Sequence, residues 1–152
     1  MSRTLLLDND PTSPTLMERY LITLSHSVTC SRSVLGALNR LDRDDFEFLV
    51  IQLPFREQIG ALALCRVLKS DAKTSATRVL MISDAPRMRQ KARAAGIDAV
   101  LKSPFSLEEI RFTLETLAER RRGSQPLLLG MTVHEAVQAN GKALLGWSRG
   151  PV

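Results

Sequence analysis

The sequence predicts an α/β fold, an open, doubly wound five-stranded parallel sheet with helices on both faces. Three observations predict it. Apolar runs short enough for buried strands alternate with longer stretches of helical period, the pattern of repeated βα units. The run Phe48-Leu49-Val50-Ile51 is apolar without interruption, as in a strand buried on both faces near the middle of a parallel sheet. Helix punctuation falls between the runs, with a stop at Gly96 and a capping-box pair at Ser106 and Glu109.

The first strand covers Thr4 to Leu7 and ends at the polar run Asp8-Asn9-Asp10-Pro11. A helix is expected from Ser13-Pro14, with Ser as cap, Pro in the first turn, and Leu16, Tyr20, Leu21 and Leu24 on one stripe. Val28-Thr29-Cys30 makes the second strand, and Val34, Leu35, Leu38 and Leu41 supply the apolar face of the second helix. After the third strand, the loop from Leu53 to Gly60 leads to a helix bearing Leu64, Val67 and Leu68. Val79 to Ile82 is the fourth strand, and Met88 to Ala95 the fourth helix, stopped by Gly96. Ala99 to Leu101 is the fifth strand. The last helix opens at Ser106, repeats Leu107, Ile110, Leu114 and Leu117 at helical spacing, and runs out at Arg120-Arg121-Arg122-Gly123.

The domain therefore takes residues 1–122, and residues 123–152 form an appendage too short for a core of its own. Thr132 and Glu135 repeat the capping-box pattern and open a candidate short helix to about Leu145. Leu127, Leu128, Leu129, Val133, Val137, Leu144, Leu145 and Trp147 make an apolar ridge, which either covers a patch of its own domain or docks on another protein.

With 152 residues, 44% of them hydrophobic and 24% charged, the composition is that of one globular domain rather than a disordered or fibrous chain. The longest apolar runs fall far below the roughly 18 residues of a membrane span, so no spanning helix is expected. Asp8 and Asp10 stand where a signal peptide would continue its apolar region, and a cytoplasmic location is expected. Cys30 and Cys65 have no close Cys or His at ligand spacing, so no metal site is expected and both thiols are read as buried. His26 and His134 have no triad-like neighbours and are read as exposed or locally bonded. The net charge of +5 attracts nucleic acid, anionic lipid or an acidic protein alike. One Trp, one Tyr and five Phe leave no set of platforms for stacking single-stranded bases, which disfavours nucleic acid as the partner.

Acidic residues after the first strand, a Ser after the fourth and Ser-Pro-Phe after the fifth, in that order on five βα units, resemble the receiver domain of two-component response regulators. The resemblance covers residues 3 to 121. It implies a receiver (flavodoxin-like) architecture, in which side chains from distant parts of the chain converge at the carboxyl ends of parallel strands. In that family an acidic pair after the first strand binds magnesium and an Asp ending the third strand takes the phosphoryl group. A Ser or Thr follows the fourth strand, and a Lys precedes a Pro after the fifth. Carried onto this chain, the acidic pair falls at Asp8 and Asn9, an amide replacing one carboxylate unless Asp10 reaches inward. The phosphoacceptor position falls at Gln52, with Gly60 eight residues later keeping the alignment free of gaps. Ser83 matches the hydroxyl position. Ser103 stands where the family has Lys, with Lys102 one residue early, and Ser103-Pro104 stands at the family's cis peptide. The family's switch aromatic on the fifth strand falls at Val100. These departures resemble a degenerate receiver, a pseudo-receiver.

An amide oxygen is not an equivalent nucleophile to a carboxylate that forms an acyl phosphate, so ordinary activation is not expected. Weak magnesium binding or none, no cofactor and no enzymatic activity are expected with it. The expected function is a phosphorylation-independent protein-interaction adaptor or regulator in bacterial signal transduction. The resemblance puts partner surfaces on the fourth helix, fifth strand and fifth helix, here Arg87, Arg89, Lys91, Arg93 and Val100, a basic surface suited to an acidic partner. A histidine kinase, another regulator or a second copy are the candidate partners. Two alternatives stand beside this reading. One is a nucleic-acid-binding regulator using the basic fourth helix and Arg120-Arg121-Arg122. The other is a regulator phosphorylated on a non-standard acid such as Asp10.

Overall fold

Alternation along each strand divides the apolar side chains between two layers, and the helices close each layer. A computed structural model of the chain describes residues 2–9, 15–54 and 56–119. Its elements are β1 Arg3–Leu7, α1 Leu16–Thr23, β2 Ser27–Ser31, α2 Val34–Arg43, β3 Phe48–Gln52, α3 Gln58–Ser70, β4 Arg78–Ser83, α4 Met88–Ala94, β5 Ala99–Lys102 and α5 Leu107–Glu119. The strands form one parallel sheet in the order β2-β1-β3-β4-β5. Leu6 pairs with Cys30 and Val50, Val50 with Leu80, and Met81 with Val100. β3 is central, as its unbroken apolar run requires, and Phe48 to Ile51 are all buried.

On one face Leu6, Phe48, Val50, Leu80, Ile82 and Leu101 meet Met17 and Leu21 of α1 and Ile110, Leu114 and Leu117 of α5. On the other, Leu5, Leu7, Leu49, Ile51, Val79 and Met81 meet α2, α3 and α4 through Ala37, Leu41, Ala61, Leu64, Cys65, Leu68, Met88 and Ala92. Each fully buried Leu or Ile gains about 1.5–3 kcal/mol from leaving water, so these two layers are the main source of stability.

Local signals set the helix ends. Ser33 Oγ accepts the Gly36 N–H (3.0 Å) at the start of α2. At α5 the capping box closes in both directions: Ser106 Oγ accepts the Glu109 N–H (3.1 Å) and Glu109 Oε1 accepts the Ser106 N–H (2.9 Å). Gly96 ends the fourth unit at φ +80°, where a side chain is strained and would also crowd Lys69.

The structure corrects several sequence expectations. α1 begins at Leu16, capped by Thr15 Oγ1, which accepts the Glu18 N–H (3.1 Å); residues 13 and 14 lie outside the described residues. Leu16, Leu35, Leu38 and Val67, expected on buried stripes, are exposed, while Met17 and Ala37 face the sheet. A short helix lying on a sheet buries a narrow column, and when two neighbouring columns are both apolar the period does not say which one turns inward. Cys30 is exposed because β2 is an edge strand with one partner, whereas Cys65 is buried on the core side of α3. The appendage, residues 123–152, with its Thr132 and Glu135 pattern and His134, lies outside the described residues. Among the described residues no helix is long and apolar enough to cross a membrane.

Where the strands begin, polar groups tie separate elements together. Lys69 Nζ donates to Asp98 Oδ2 and to the Thr77 carbonyl (2.7 Å each), and the Val79 N–H donates to the same Asp98 oxygen (2.7 Å). Thr77 Oγ1 donates to the Phe46 carbonyl (2.9 Å), and Thr4 Oγ1 lies 2.7 Å from His26 Nδ1.

Candidate functional site

Parallel strands present their carboxyl ends along one edge, and there β1, β3, β4 and β5 deliver Asp8 with Asn9, Gln52, Ser83, and Lys102 with Ser103. Gln52 is the last residue of β3, beside Ile82, and Ser83 is paired with Lys102. Six of the seven pocket residues expected from sequence therefore share one end of the sheet; Asp10 lies outside the described residues.

Asp8 is almost fully buried, and its N–H donates to the Ser31 carbonyl (3.0 Å). Asn9 Oδ1 accepts the Arg56 N–H at 2.6 Å, tying the end of β1 to the loop before α3. Asn9 Nδ2 is buried without a hydrogen-bond partner among the described residues. Gln52 is half-buried, and its Nε2 donates to the Leu53 carbonyl (3.1 Å). Both amides thus act on the chain's own backbone. Ser83 Oγ accepts the Ala85 N–H (3.0 Å), a local turn that positions the hydroxyl at the strand end. Ser103 is half-buried, its N–H donates to the Ser83 carbonyl (3.3 Å), and the Ser103-Pro104 bond is cis, as is Leu53-Pro54.

Beside Ser83 a cleft of about 200 Å³ opens between β4, α4 and β5, lined among others by Pro86, Arg89, Val100 and Lys102. Lys102 reaches this cleft although it stands one residue early, because it is exposed at the very end of its strand. Arg89 is half-buried in the cleft, while Lys91 and Arg93 on α4 and Arg87 just before it are exposed. Val100 is nearly buried and forms wall rather than open surface. The cleft is cationic on two sides, with the Asp84 carboxylate at its rim. Sequence reasoning missed Glu57, whose Oε1 accepts the Val34 N–H (2.9 Å) and so holds the loop before α3 against the start of α2. The two residues are 23 apart and match no local capping pattern, so only the folded chain reveals the contact.

No thiol is activated. Burial pushes Cys65 up to about 12, and burial followed by the Glu18 carboxylate pushes Cys30 up to about 11. Among the described residues no group of three His, Cys, Asp or Glu side chains is placed to hold a metal ion. Among the described residues the ends of β1 and β3 offer one carboxylate and two amides, and the buried Asn9 amide nitrogen carries hydrogens rather than a lone pair for a cation. The described donors do not fit a hard divalent cation.

Strand order, helix placement and the strand-end edge together define the receiver (flavodoxin-like) fold. No family model matches the chain. The chain is similar to the response regulator MprA of Mycobacterium avium, at 29% identity over 122 residues, covering 79% of this chain and 52% of that protein. It thus spans about half the length of the relatives it matches. Among solved structures, a putative response regulator from Chloroflexus aurantiacus aligns with a TM-score of 0.71 at 20% identity, covering 78% of this chain and 98% of the other. The receiver domain of a sensor histidine kinase from Pseudomonas aeruginosa, solved with a magnesium ion coordinated in its active-site cleft, aligns with a TM-score of 0.69 at 16% identity, covering 78% and 98%.

Proposed function

We propose that this chain is a protein-interaction adaptor or regulator of bacterial signal transduction, built on a receiver fold and working without phosphorylation or catalysis. The observation that carries this reading is Gln52, an amide at the end of the central strand that donates to the next residue's carbonyl. Phosphoryl transfer to a receiver needs a carboxylate there, because the acceptor must become an acyl phosphate. Asn9 supports the reading, since its amide already joins the β1 end to the neighbouring loop, a bond a phosphoryl or metal ligand would have to displace.

Partner recognition falls to the α4 side of the cleft, where Arg87, Arg89, Lys91, Arg93 and Lys102 suit an acidic protein surface. A histidine kinase, another regulator or a second copy fits that description. Incubation with a small phosphodonor and magnesium leaves the intact mass unchanged; a stable phosphoryl adduct, on Asp10 or elsewhere, overturns the reading. Cross-linked recovery of the partner from the native cell is lost on Arg87→Glu/Arg89→Glu/Arg93→Glu, and undiminished recovery moves the surface elsewhere.

A further inference from the structure

Helices α2 and α3 lie side by side, and each turns apolar side chains outward. Leu35 and Leu38 on α2 are 66% and 43% exposed, and Ile59 and Val67 on α3 are 85% and 55% exposed. Ala63, also exposed, continues the α3 stripe midway between Ile59 and Val67 at four-residue spacing. A shallow groove walled by Leu38, Leu41, Leu64, Val67 and Leu68 joins the two stripes into one face. Such a face is more than the singly scattered apolar side chains of an ordinary surface. Its two ends differ in charge. Where the strands begin, the carboxylates of Asp42 and Asp71 outnumber the one ammonium of Lys73 at the groove mouth. Where the strands stop, exposed Arg32 and Arg56 outnumber the one carboxylate of Glu57, which holds the start of α2.

We infer that two copies of this chain pair through the α2–α3 face, about a two-fold axis perpendicular to both helices, so that each helix lies antiparallel on its counterpart. A symmetric pairing needs a surface complementary to itself, and three features make this one so. The first is spacing. Ile59 and Val67 lie four residues either side of Ala63, so an axis at Ala63 sets Ile59 of one copy on Val67 of the other. The small side chain at the centre lets the helices approach. The second is register. α2 and α3 start level, since the Val34 N–H bonds to Glu57 and Val34 lies against Gly60, and Leu38 shares the groove with Leu64 and Val67. The same axis therefore passes between Leu35 and Leu38, and each Leu35 meets Leu38 of the other copy. The third is charge. Reversed direction brings Arg56, seven residues before Ala63, opposite Asp71, eight residues after it, and brings Arg32 opposite Asp42. A parallel arrangement would set like charges together. The 13-residue α3 makes a face about 20 Å long, small for an interface, which puts the dimer in the weak, concentration-dependent class. The inference is independent of how the strand-end site and the α4 surface are read.

Sedimentation velocity on the full chain across the micromolar range tests it. The average mass rises with concentration toward twice that of one chain, and Leu35→Asp/Ile59→Asp, at the two most exposed of these apolar positions, stays a monomer. Charge reversal tests the same pairing with the apolar face untouched. Arg56→Asp alone and Asp71→Arg alone each weaken the dimer about tenfold, because two symmetry-related pairs turn repulsive. Arg56→Asp/Asp71→Arg regains the natural affinity, because each pair is only exchanged between copies. A natural chain that stays monomeric throughout overturns the inference, whether another segment of the chain or nothing covers the face. A dimer that survives Leu35→Asp/Ile59→Asp, or one that the combined reversal does not restore, overturns it as well. Loss of the dimer only in Arg87→Glu/Arg89→Glu/Arg93→Glu moves self-association to α4 and overturns it too.

Discussion

At the end of the sheet where strands begin, Lys69, Asp98 and Thr77 join α3, β4 and the approach to β5 in one network, and His26, just before β2, bonds to Thr4 of β1. At the end where strands stop, the Gln52 and Ser83 side chains bond within their own turns, while Asn9 and Glu57 each reach one neighbouring backbone N–H, at Arg56 and Val34. The first arrangement cross-links elements far apart in sequence and contributes to stability. The second ties loops to neighbouring backbone by single hydrogen bonds, with no charged pair among those bonds, and leaves the edge available for recognition, as loops on a rigid scaffold commonly are.

The largest expected effect breaks the strand-start network. Asp98→Ala leaves the largely buried Lys69 ammonium with one acceptor and the Val79 N–H with none, and lowers stability by about 3 kcal/mol. Urea unfolding reads this as a lower midpoint at unchanged slope. If Asp98→Ala costs no more than a surface substitution, the contrast between the two ends fails.

A smaller effect sharpens the picture of the other end. Asn9→Asp/Gln52→Asp gathers three carboxylates around the ends of β1 and β3, where like charges repel, and lowers stability by about 1–2 kcal/mol without a divalent cation. Magnesium restores the loss in the variant and leaves the natural chain unchanged, which thermal unfolding with and without the ion measures. Equal magnesium response in both proteins would mean that the amides do not set the resting state.

The smallest effect is a pH dependence at the strand-start end. Burial holds the half-buried His26 below its ordinary 6.5, outweighing the Glu47 carboxylate that favours the charged form. The unfolded chain therefore binds the proton more readily than the folded one. Stability from this group is fully present above about 6.5, falls as pH drops from there toward the folded value, and changes no further below it. His26→Asn removes that slope, seen as a flatter plot of urea midpoint against pH. Steepening would mean that the ring is charged in the fold.

Much of the architecture is legible in the chain because its signals are local. Phe48 to Ile51 announces a central strand by composition, and Ser106 with Glu109 announces a helix start by hydrogen-bonding geometry that two residues complete between themselves. The site positions at Asp8, Asn9, Gln52, Ser83 and Ser103 were legible for a related reason, since a residue ending a parallel strand lies at the common edge whatever the rest of the chain does. Leu35, Leu38 and Val67 were misread because a helix with adjacent apolar columns has no local way to choose its buried side. Glu57 went unseen because its partner is 23 residues away.

The sequence by itself determined the five βα units, their order of polar strand ends and the amide at position 52, because these depend on side-chain chemistry and on periods of two and 3.6 residues. Tertiary structure alone decided which column of each helix meets the sheet, that Lys102 reaches the cleft beside Ser83, and that Asn9 and Glu57 anchor the loop before α3. Those outcomes depend on how layers dock and on which distant backbone groups are left needing a partner, and neither is encoded in any short stretch of the chain.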